Sequence, residues 1–582
     1  MRTTCLLSLV ALACLAFAGS DNVPLNGLSL PDTAGKSHHL ADCKDSQATV
    51  FFFTAVECPT ARRYLGRVVD LAQAYGGKGA SFYAVYSNAL EEPAAIKRQV
   101  DEAKLAFPAL LDPEQKLADA LAVRTTPTVV VVDSAGKVRY RGMIDENKNE
   151  RLAKNAYLRD ALESLLAGQS IAVAATEPVG CAIQRKLTEA ANAPVTYANG
   201  VAGILHQHCA TCHRPGQIAP FSLLTYEQAR RWAANIKYYT QSRAMPPWKP
   251  DNHRMFRGER SLSQSEIETL AQWVNAGAPL GDSAQLPPPP KFTEGWALGT
   301  PDLVLGIEDE YVIEGTGNDE YRCFVLDPKL KEDRFVQAVE FRPGNPKIVH
   351  HVMTYIDAFG FAAGKENKDG KQGFASIGTG PGFFPAGDLG GWGPGMQPWP
   401  LDEGTARFLP RGAKIVMEVH YHKNGQRETD RTQIGLQFSK TPVKKRVHSQ
   451  VVINLKFQIP AGAKRHEVRA AWNVPEDMHA VAVIPHMHLI GKEIQVTATL
   501  PDGSTQMMVH IPEWDFNWQE TYHFKAPFAL PKGSKVEVVG WFDNSAENPN
   551  NPRKPPRRVG FGEQTTDEMC VAYLAITKDK EE

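Results

Sequence analysis

At 582 residues the chain exceeds what one hydrophobic core holds together, so it reads as a multidomain protein. Hydrophobic residues at 43% and charged residues at 22% are the balance of globular domains, which excludes a disordered or fibrous chain. The 64 Lys and Arg stand against 65 Asp and Glu, and a net charge of −1 gives no electrostatic case for nucleic acid or an anionic membrane as partner.

Arg2 precedes an apolar run from Cys5 to Phe17, and Ala16-Phe17-Ala18 before Gly19 is a small-x-small cleavage signal. Residues 1–18 are read as a signal peptide, since the run is too short for a stable membrane span. A lipoprotein reading would use Cys14, behind the poor lipobox Ala11-Leu12-Ala13. The mature protein is expected to be periplasmic or secreted, with no membrane span after signal removal. Disulfides are allowed in such a compartment, and Cys323 with Cys570 is one candidate pair.

Residues 22–172 alternate strand and helix signals. Ala48 to Phe53 reads as a buried strand, Ala61 through Ala74 to Gly76 as a helix, Ser81 to Tyr86 and Thr128 to Val132 as further strands. Cys58 follows the first strand and opens the helix, where the dipole lowers a thiol's pKa. With Thr126-Pro127-Thr128 ahead of a buried strand, this region resembles a thioredoxin-like redoxin, and the resemblance implies a cis-Pro turn. The active-site pattern departs from that family. Cys58-Pro59-Thr60-Ala61 lacks the second Cys of C-x-x-C, and Phe51 and Thr54 do not fit the peroxidase pattern. Cys58 is a candidate redox thiol that pairs with Cys43 or Cys181 or acts alone; the alternative is a docking domain without redox chemistry.

From 195 to 282 the pattern turns helical. Ser263-x-x-Glu266 is a capping box, Ile267, Leu270, Ala271 and Val274 follow at helical spacing, and Gly277 with Pro279 stops the helix. Cys209-Ala210-Thr211-Cys212-His213 is C-x-x-C-H, the attachment sequence of c-type haem. Two thiols three apart form thioethers to the vinyl groups, and the adjacent His213 faces the iron. A zinc half-site would need a second ligand pair, and only His206, His208 and His253 are near in sequence. The segment resembles small mono-haem cytochromes c, which implies an all-α domain and a distal Met. Met245, between flanking residues of a Pro-rich loop, is the first candidate and Met255 the second. Pro287 to Pro290 is then a stiff linker.

The remaining residues carry short alternating runs such as Lys414 to Tyr421 and Ala480 to Ile484, the pattern of β-sandwiches. Gly364 to Gly395 reads as a long loop, mobile or a lid. Of 17 histidines, eleven fall between residues 350 and 523, several in pairs: His350-His351, His420-x-His422 and His486-x-His488. Residues two apart on a strand share a face and can chelate one metal. Adjacent His350 and His351 reach one ion only at a bulge or strand end.

Val349-His350-His351-Val352-Met353, Glu418-Val419-His420-Tyr421, Pro485-His486-Met487-His488-Leu489-Ile490-Gly491-Lys492 and Thr566-Asp567-Glu568-Met569-Cys570 resemble, in order, motifs of the copper type II ascorbate-dependent monooxygenases. The resemblance implies two jelly-roll sandwiches, over 291–445 and 446–582. It implies one copper ion on His350, His351 and His420, and a second, catalytic one on His486, His488 and Met569. His422 is left as an outer or surface residue. Ile484 stands where the peptide-amidating members carry an Arg for a substrate carboxylate, whereas Tyr573 matches a substrate-contacting Tyr.

The resulting expectation is an exported monooxygenase that hydroxylates a C–H bond of an unknown organic substrate with O2. Two copper ions and one covalent haem c are its cofactors, and the haem is read as an electron relay. The reductant is ascorbate-like or a redox partner protein. The competing expectation is an electron-transfer or copper-handling protein without hydroxylase activity.

Overall fold

The computed structural model describes residues 25, 27–146, 155–217, 219–293, 295–315, 319–376, 380–423, 426–516, 518–562 and 564–581. The expected signal peptide, with Cys5 and Cys14, lies outside the described residues. Among those described, no helix is long and apolar enough to cross a membrane. The chain divides into two compact units: Met1–Gly203 with Thr225–Ser242 and Gln264–Pro287, and Ile204–Leu224 with Arg243–Ser263 and Pro288–Glu582.

The first unit is built on a thioredoxin-like α/β domain. Its sheet runs in the order Ala109–Leu111, Ala80–Tyr86, Ala48–Thr54, Thr128–Asp133 and Val138–Gly142. Every residue of Ala48–Thr54 is buried, as a central strand covered on both faces must be. It pairs parallel with Ala80–Tyr86 and antiparallel with Thr128–Asp133. The helix Pro59–Tyr75 takes Cys58 as its N-cap and Pro59 in its first turn, where a missing N–H costs nothing. The Thr126-Pro127 peptide is cis.

The second unit holds the large all-β region. One eight-stranded sheet runs Leu303–Gly306, Gln433–Phe438, Arg334–Arg342, Thr405–Leu409, Lys445–Ile453, Val571–Lys578, Met478–His486 and Tyr522–Leu530. Its middle joint is a short parallel pairing of Thr405 and Ala406 with Lys445 and Arg446. Against its first half lies a five-stranded sheet (Phe374–Ser376, Glu320–Leu326, Lys414–Tyr421, Val349–Asp357, Asp388–Trp392), and against its second half a four-stranded one (His466–Asn473, Lys535–Phe542, Gly491–Thr499, Thr505–Ile511). Each pairing of sheets closes its own core: Ile415, Met417, Ile434 and Leu436 in the first, Val483, Ile494, Val538 and Leu574 in the second.

Three expectations change. The segment 195–282 is helical among its described residues but is not a separate all-α domain; its parts fall into both compact units. The physical reason is core size. Its α-helices have twelve residues or fewer, and Phe256, with Trp248 and Met255, packs into the core of the second sandwich instead. Asp251 N–H donates to His510 O and Lys525 N–H to Met255 O, so backbone bonds hold this loop to the sheet.

The glycine-rich stretch 364–395 contains two strands rather than one long loop. Phe374–Ser376 pairs with Tyr321–Cys323 and Asp388–Trp392 with Val352–Tyr355. Edge strands take their order from the neighbour's ladder, which local composition does not reveal. Cys323 and Cys570 are both free thiols, buried in different hydrophobic clusters, and so do not form the candidate pair.

Candidate metal centres

His350 and His351 open the strand Val349–Asp357, and His420 sits near the end of its neighbour Lys414–Tyr421. The register pairs Val349 with Tyr421 but His351 with His420, so the ladder shifts by one residue at His350. That bulge turns two consecutive side chains to one side, where a regular strand would send them to opposite faces. The imidazoles converge: His350 Nδ1 lies 3.2 Å from His351 Nδ1, which lies 3.4 Å from His420 Nδ1. Candidate ligand atoms of the three all fall within 4.8 Å of one another.

Sequence reasoning missed what orients this cluster. Asp319 Oδ2 accepts from His420 Nε2 at 3.0 Å and from His422 Nδ1 at 3.1 Å. Occupying Nε2 fixes the His420 tautomer and leaves Nδ1 as its lone-pair donor. Burial alone would raise the Asp319 carboxyl, yet the hydrogen bonds from both imidazoles hold it far below the usual carboxylate range. Tyr321 stacks on His420 at 4.1 Å between ring centroids. Burial, then the neighbouring His420 and His422, push His350 down to about 3. Burial likewise lowers His351 and His420. Neutral imidazoles with free lone pairs are what a metal requires. His422 is half exposed and bound to Asp319.

Asp319→Asn keeps the shape but removes the negative charge that both imidazoles share through Oδ2. Copper affinity at this cluster is expected to fall by about 10- to 100-fold, measured by competition with a Cu(I) chelator. An unchanged affinity would remove Asp319 from the site.

The second cluster forms where Met478–His486 ends beside Val571–Lys578. His486 pairs across the strands with Val571, which brings Met569, two residues earlier, to the same end. The His486 and His488 ring centroids are 5.1 Å apart. His486 Nδ1 meets Gln519 Oε1 at 2.6 Å and His488 Nδ1 meets Asp567 O at 3.2 Å, which leaves both Nε2 atoms for a ligand. Burial lowers His486 and pushes His488 down to about 3.

Glu568 ties this corner together. Its carboxylate accepts from the backbone N–H of Ile490 at 2.7 Å, His488 at 2.9 Å and Met569 at 3.3 Å. The two loops that carry the ligands are thereby held on one side chain. Burial pushes the Glu568 carboxyl up to about 8 despite those three donors.

The loop after Ile511 adds a contact between the clusters. The Phe516 ring lies 6.1 Å from His350, nearly parallel to it, and 6.1 Å from His488, nearly perpendicular. Gln519 of the same loop holds His486, and the next residue, Glu520, makes a largely buried ion pair with Arg260. The Cys212 thiol lies in the field of that ion pair.

Around the C-x-x-C-H segment, Cys209 and Cys212 are free thiols, and burial raises both. His213 Nδ1 donates to Phe221 O at 3.1 Å, which leaves the Nε2 lone pair available, and burial lowers the ring's pKa. Met245 is 43% exposed, and Met255 packs against the second sandwich core. A cavity of about 720 Å³ lies alongside, lined among others by Cys212, Met353, Trp392, Ile484 and Tyr573. That size suits a small-molecule or cofactor site. Ile484 and Tyr573 are cross-strand partners, and Ile484 lies two residues before His486, on the same sheet face.

Residues 450–579 match the family model of the copper type II ascorbate-dependent monooxygenase C-terminal domain, and residues 22–141 that of the AhpC/TSA family. The chain is 24% identical over 176 residues to the DBH-like monooxygenase protein 1 of Gallus gallus, covering 28% of this chain and 27% of that protein. It is 23% identical over 275 residues to the Mus musculus protein of the same name, covering 42% of each. It is also 29% identical over 139 residues to the thiol-disulfide oxidoreductase ResA of Halalkalibacterium halodurans, covering 23% of this chain and 76% of that protein. The chain thus spans about a quarter to two-fifths of the length of the DBH-like relatives. At the level of these family matches it is similar to oxidoreductases: a thioredoxin-like domain at one end, a copper monooxygenase domain at the other.

Proposed function

We propose that the chain is an exported copper-dependent monooxygenase that hydroxylates a C–H bond with O2 and an external reductant, and that it carries a covalent haem c. The observation that carries this reading is the approach of two separate imidazole clusters to one phenyl ring, Phe516, which lies 6.1 Å from His350 and 6.1 Å from His488. Three imidazoles suit either copper oxidation state, while a site of two imidazoles and the soft Met569 sulfur favours Cu(I), the state that meets dioxygen. Copper held by these two ligand sets would supply one-electron chemistry and oxygen activation, and haem held by Cys209, Cys212 and His213, with Met245 as a further candidate ligand, would supply another one-electron carrier.

The chain's own groups do the rest. Asp319, Gln519 and Asp567 O hold the imidazole tautomers, and Glu568 holds His488 and Met569 together. Phe516 places its ring within 6.1 Å of both His350 and His488. Ile484 and Tyr573 line the cavity beside His486, and Arg214, Arg342 and Arg407 line the same cavity. The substrate is an unknown organic molecule, and the reductant is read as ascorbate-like or a redox protein.

Metal and haem analysis of the purified full-length protein tests this, followed by a screen of C–H substrates under ascorbate and O2. Two copper ions and one haem per chain, with oxygen uptake matched by hydroxylated product, are expected. Copper binding with no oxygen uptake on any substrate would leave the copper-handling reading in its place.

A further inference from the structure

The redoxin-like region lacks a second cysteine in the turn after Cys58, and the fold supplies one from 123 residues further along the chain. Cys181 lies on the two-residue strand Cys181–Ala182, which pairs antiparallel with Thr125–Thr126, Thr126 opposite Cys181. Thr126 is also where the Cys58 thiol points: its S–H donates to Thr126 O at 3.2 Å. Cys181 packs against the small cluster of Ala55, Cys58 and Ala61.

Cys181 is held there from three sides. Tyr239 O–H donates to Gly180 O, Ala182 N–H donates to Asn235 Oδ1 at 2.8 Å, and Gln184 N–H donates to Asn88 Oδ1 at 2.7 Å. A side chain at Gly180 would place its Cβ 1.9 Å from Thr126 O, so only glycine allows the approach. This short strand has more anchoring than two residues of ladder would need. It positions one sulfur on another.

We propose that Cys58 and Cys181 form a reversible redox disulfide, a thiol–disulfide exchange site separate from the metal centres. Cys58 is 1% exposed, whereas Cys181 is partly exposed, so an external sulfur reaches Cys181 first. In oxidation, the Cys181 thiolate attacks an external disulfide RSSR, forms Cys181–S–S–R and releases RS⁻. The Cys58 thiolate then attacks the Cys181 sulfur, closes the internal disulfide and releases the second RS⁻. Two electrons leave the pair of cysteines, the two thiol protons end on the two RS⁻, and RSSR becomes two RSH.

Reduction is the reverse. An external thiolate attacks Cys181, and Cys58 departs as thiolate. The better leaving group is the sulfur whose thiolate is better stabilised. Cys58 is that sulfur: it accepts from Ala61 N–H at the start of a seventeen-residue helix, and the neighbouring Cys181 draws its thiol below the ordinary value while that of Cys181 is pushed up. Glu91 supports the same assignment. Its Oε1 accepts from Val56 N–H, its Oε2 is buried without a hydrogen-bond partner, and its charge acts on Cys181. Burial pushes its carboxyl up to about 7.

The full-length protein is equilibrated in glutathione buffers of graded redox poise, acid-quenched, alkylated and digested for mass spectrometry. Labelling at Cys58 and Cys181 is expected to vanish together, at one midpoint with a two-electron slope, with a peptide pair linked through these residues. Cys323 and Cys570, buried in other cores, are the unreacted controls. Cys181→Ser is expected to abolish the linked pair and leave Cys58 without an intramolecular partner. Independent labelling of the two thiols at every poise, or a Cys58–Cys43 link in the unaltered protein, would overturn the proposal whatever the variant does.

Discussion

His486→Ala is expected to lose one of two copper equivalents and to lower ascorbate-driven hydroxylation by at least about 10³-fold, since residues that act as one unit fail together. The substitution leaves His488 and Met569, and two ligands do not hold an ion in a water-accessible site. The cluster of His350, His351 and His420 is built on other strands and keeps its copper. His422→Ala is the matched control. Its ring is half exposed and outside the 4.8 Å cluster, so it retains both coppers and changes the rate by less than about tenfold. Copper content by elemental analysis and loss of the Cu–S signal in X-ray absorption read the two sites separately. Full copper content and full rate in His486→Ala would remove the oxygenase reading altogether.

Glu568 carries the largest expected effect on stability. Glu568→Ala strands the N–H groups of His488, Ile490 and Met569 in a buried corner, at a cost on the order of 3–5 kcal/mol. Its titration has a definite sign in the copper-free protein. The carboxyl is raised from 4.5 to about 8, so the folded state keeps a proton that the unfolded chain releases. The stabilisation is complete below pH 4.5 and is lost as pH rises toward 8, roughly 1.4 kcal/mol for each unit crossed. Copper-free protein should therefore melt at a lower temperature at pH 8.5 than at pH 6. Glu568→Gln, neutral at every pH, should flatten that slope, at the cost of one of the two acceptor oxygens. A slope that survives in Glu568→Gln would assign it to another group.

The candidate ligands were legible because few residue types bind copper, and because their spacing on strands carries information. His486-x-His488 needs only the two-residue period of a strand. His350-His351 needs a bulge, and the shifted register between Val349 and His351 supplies it. The supporting residues were not legible. Asp319, Glu568, Gln519 and Phe516 look like ordinary polar or apolar residues in the chain, and only neighbours from other strands make them part of a site. The helical segment 195–282 misled in a different way. Local periodicity reports helices, but whether they close their own core depends on what lies beside them, and Phe256 found its partners in Tyr522 and Phe524.

Composition, strand periodicity and the few metal- and sulfur-binding side chains were enough to read an α/β region, an all-β region and the ligand candidates, since each rests on short-range order along the chain. Which cysteine faces Cys58, which carboxylate orients His420, and what stands between the two imidazole clusters were settled only on folding. These are long-range contacts, across 123 residues for Cys58 and Cys181 and 101 for Asp319 and His420, and chain entropy leaves them unspecified until the surrounding sheets are packed.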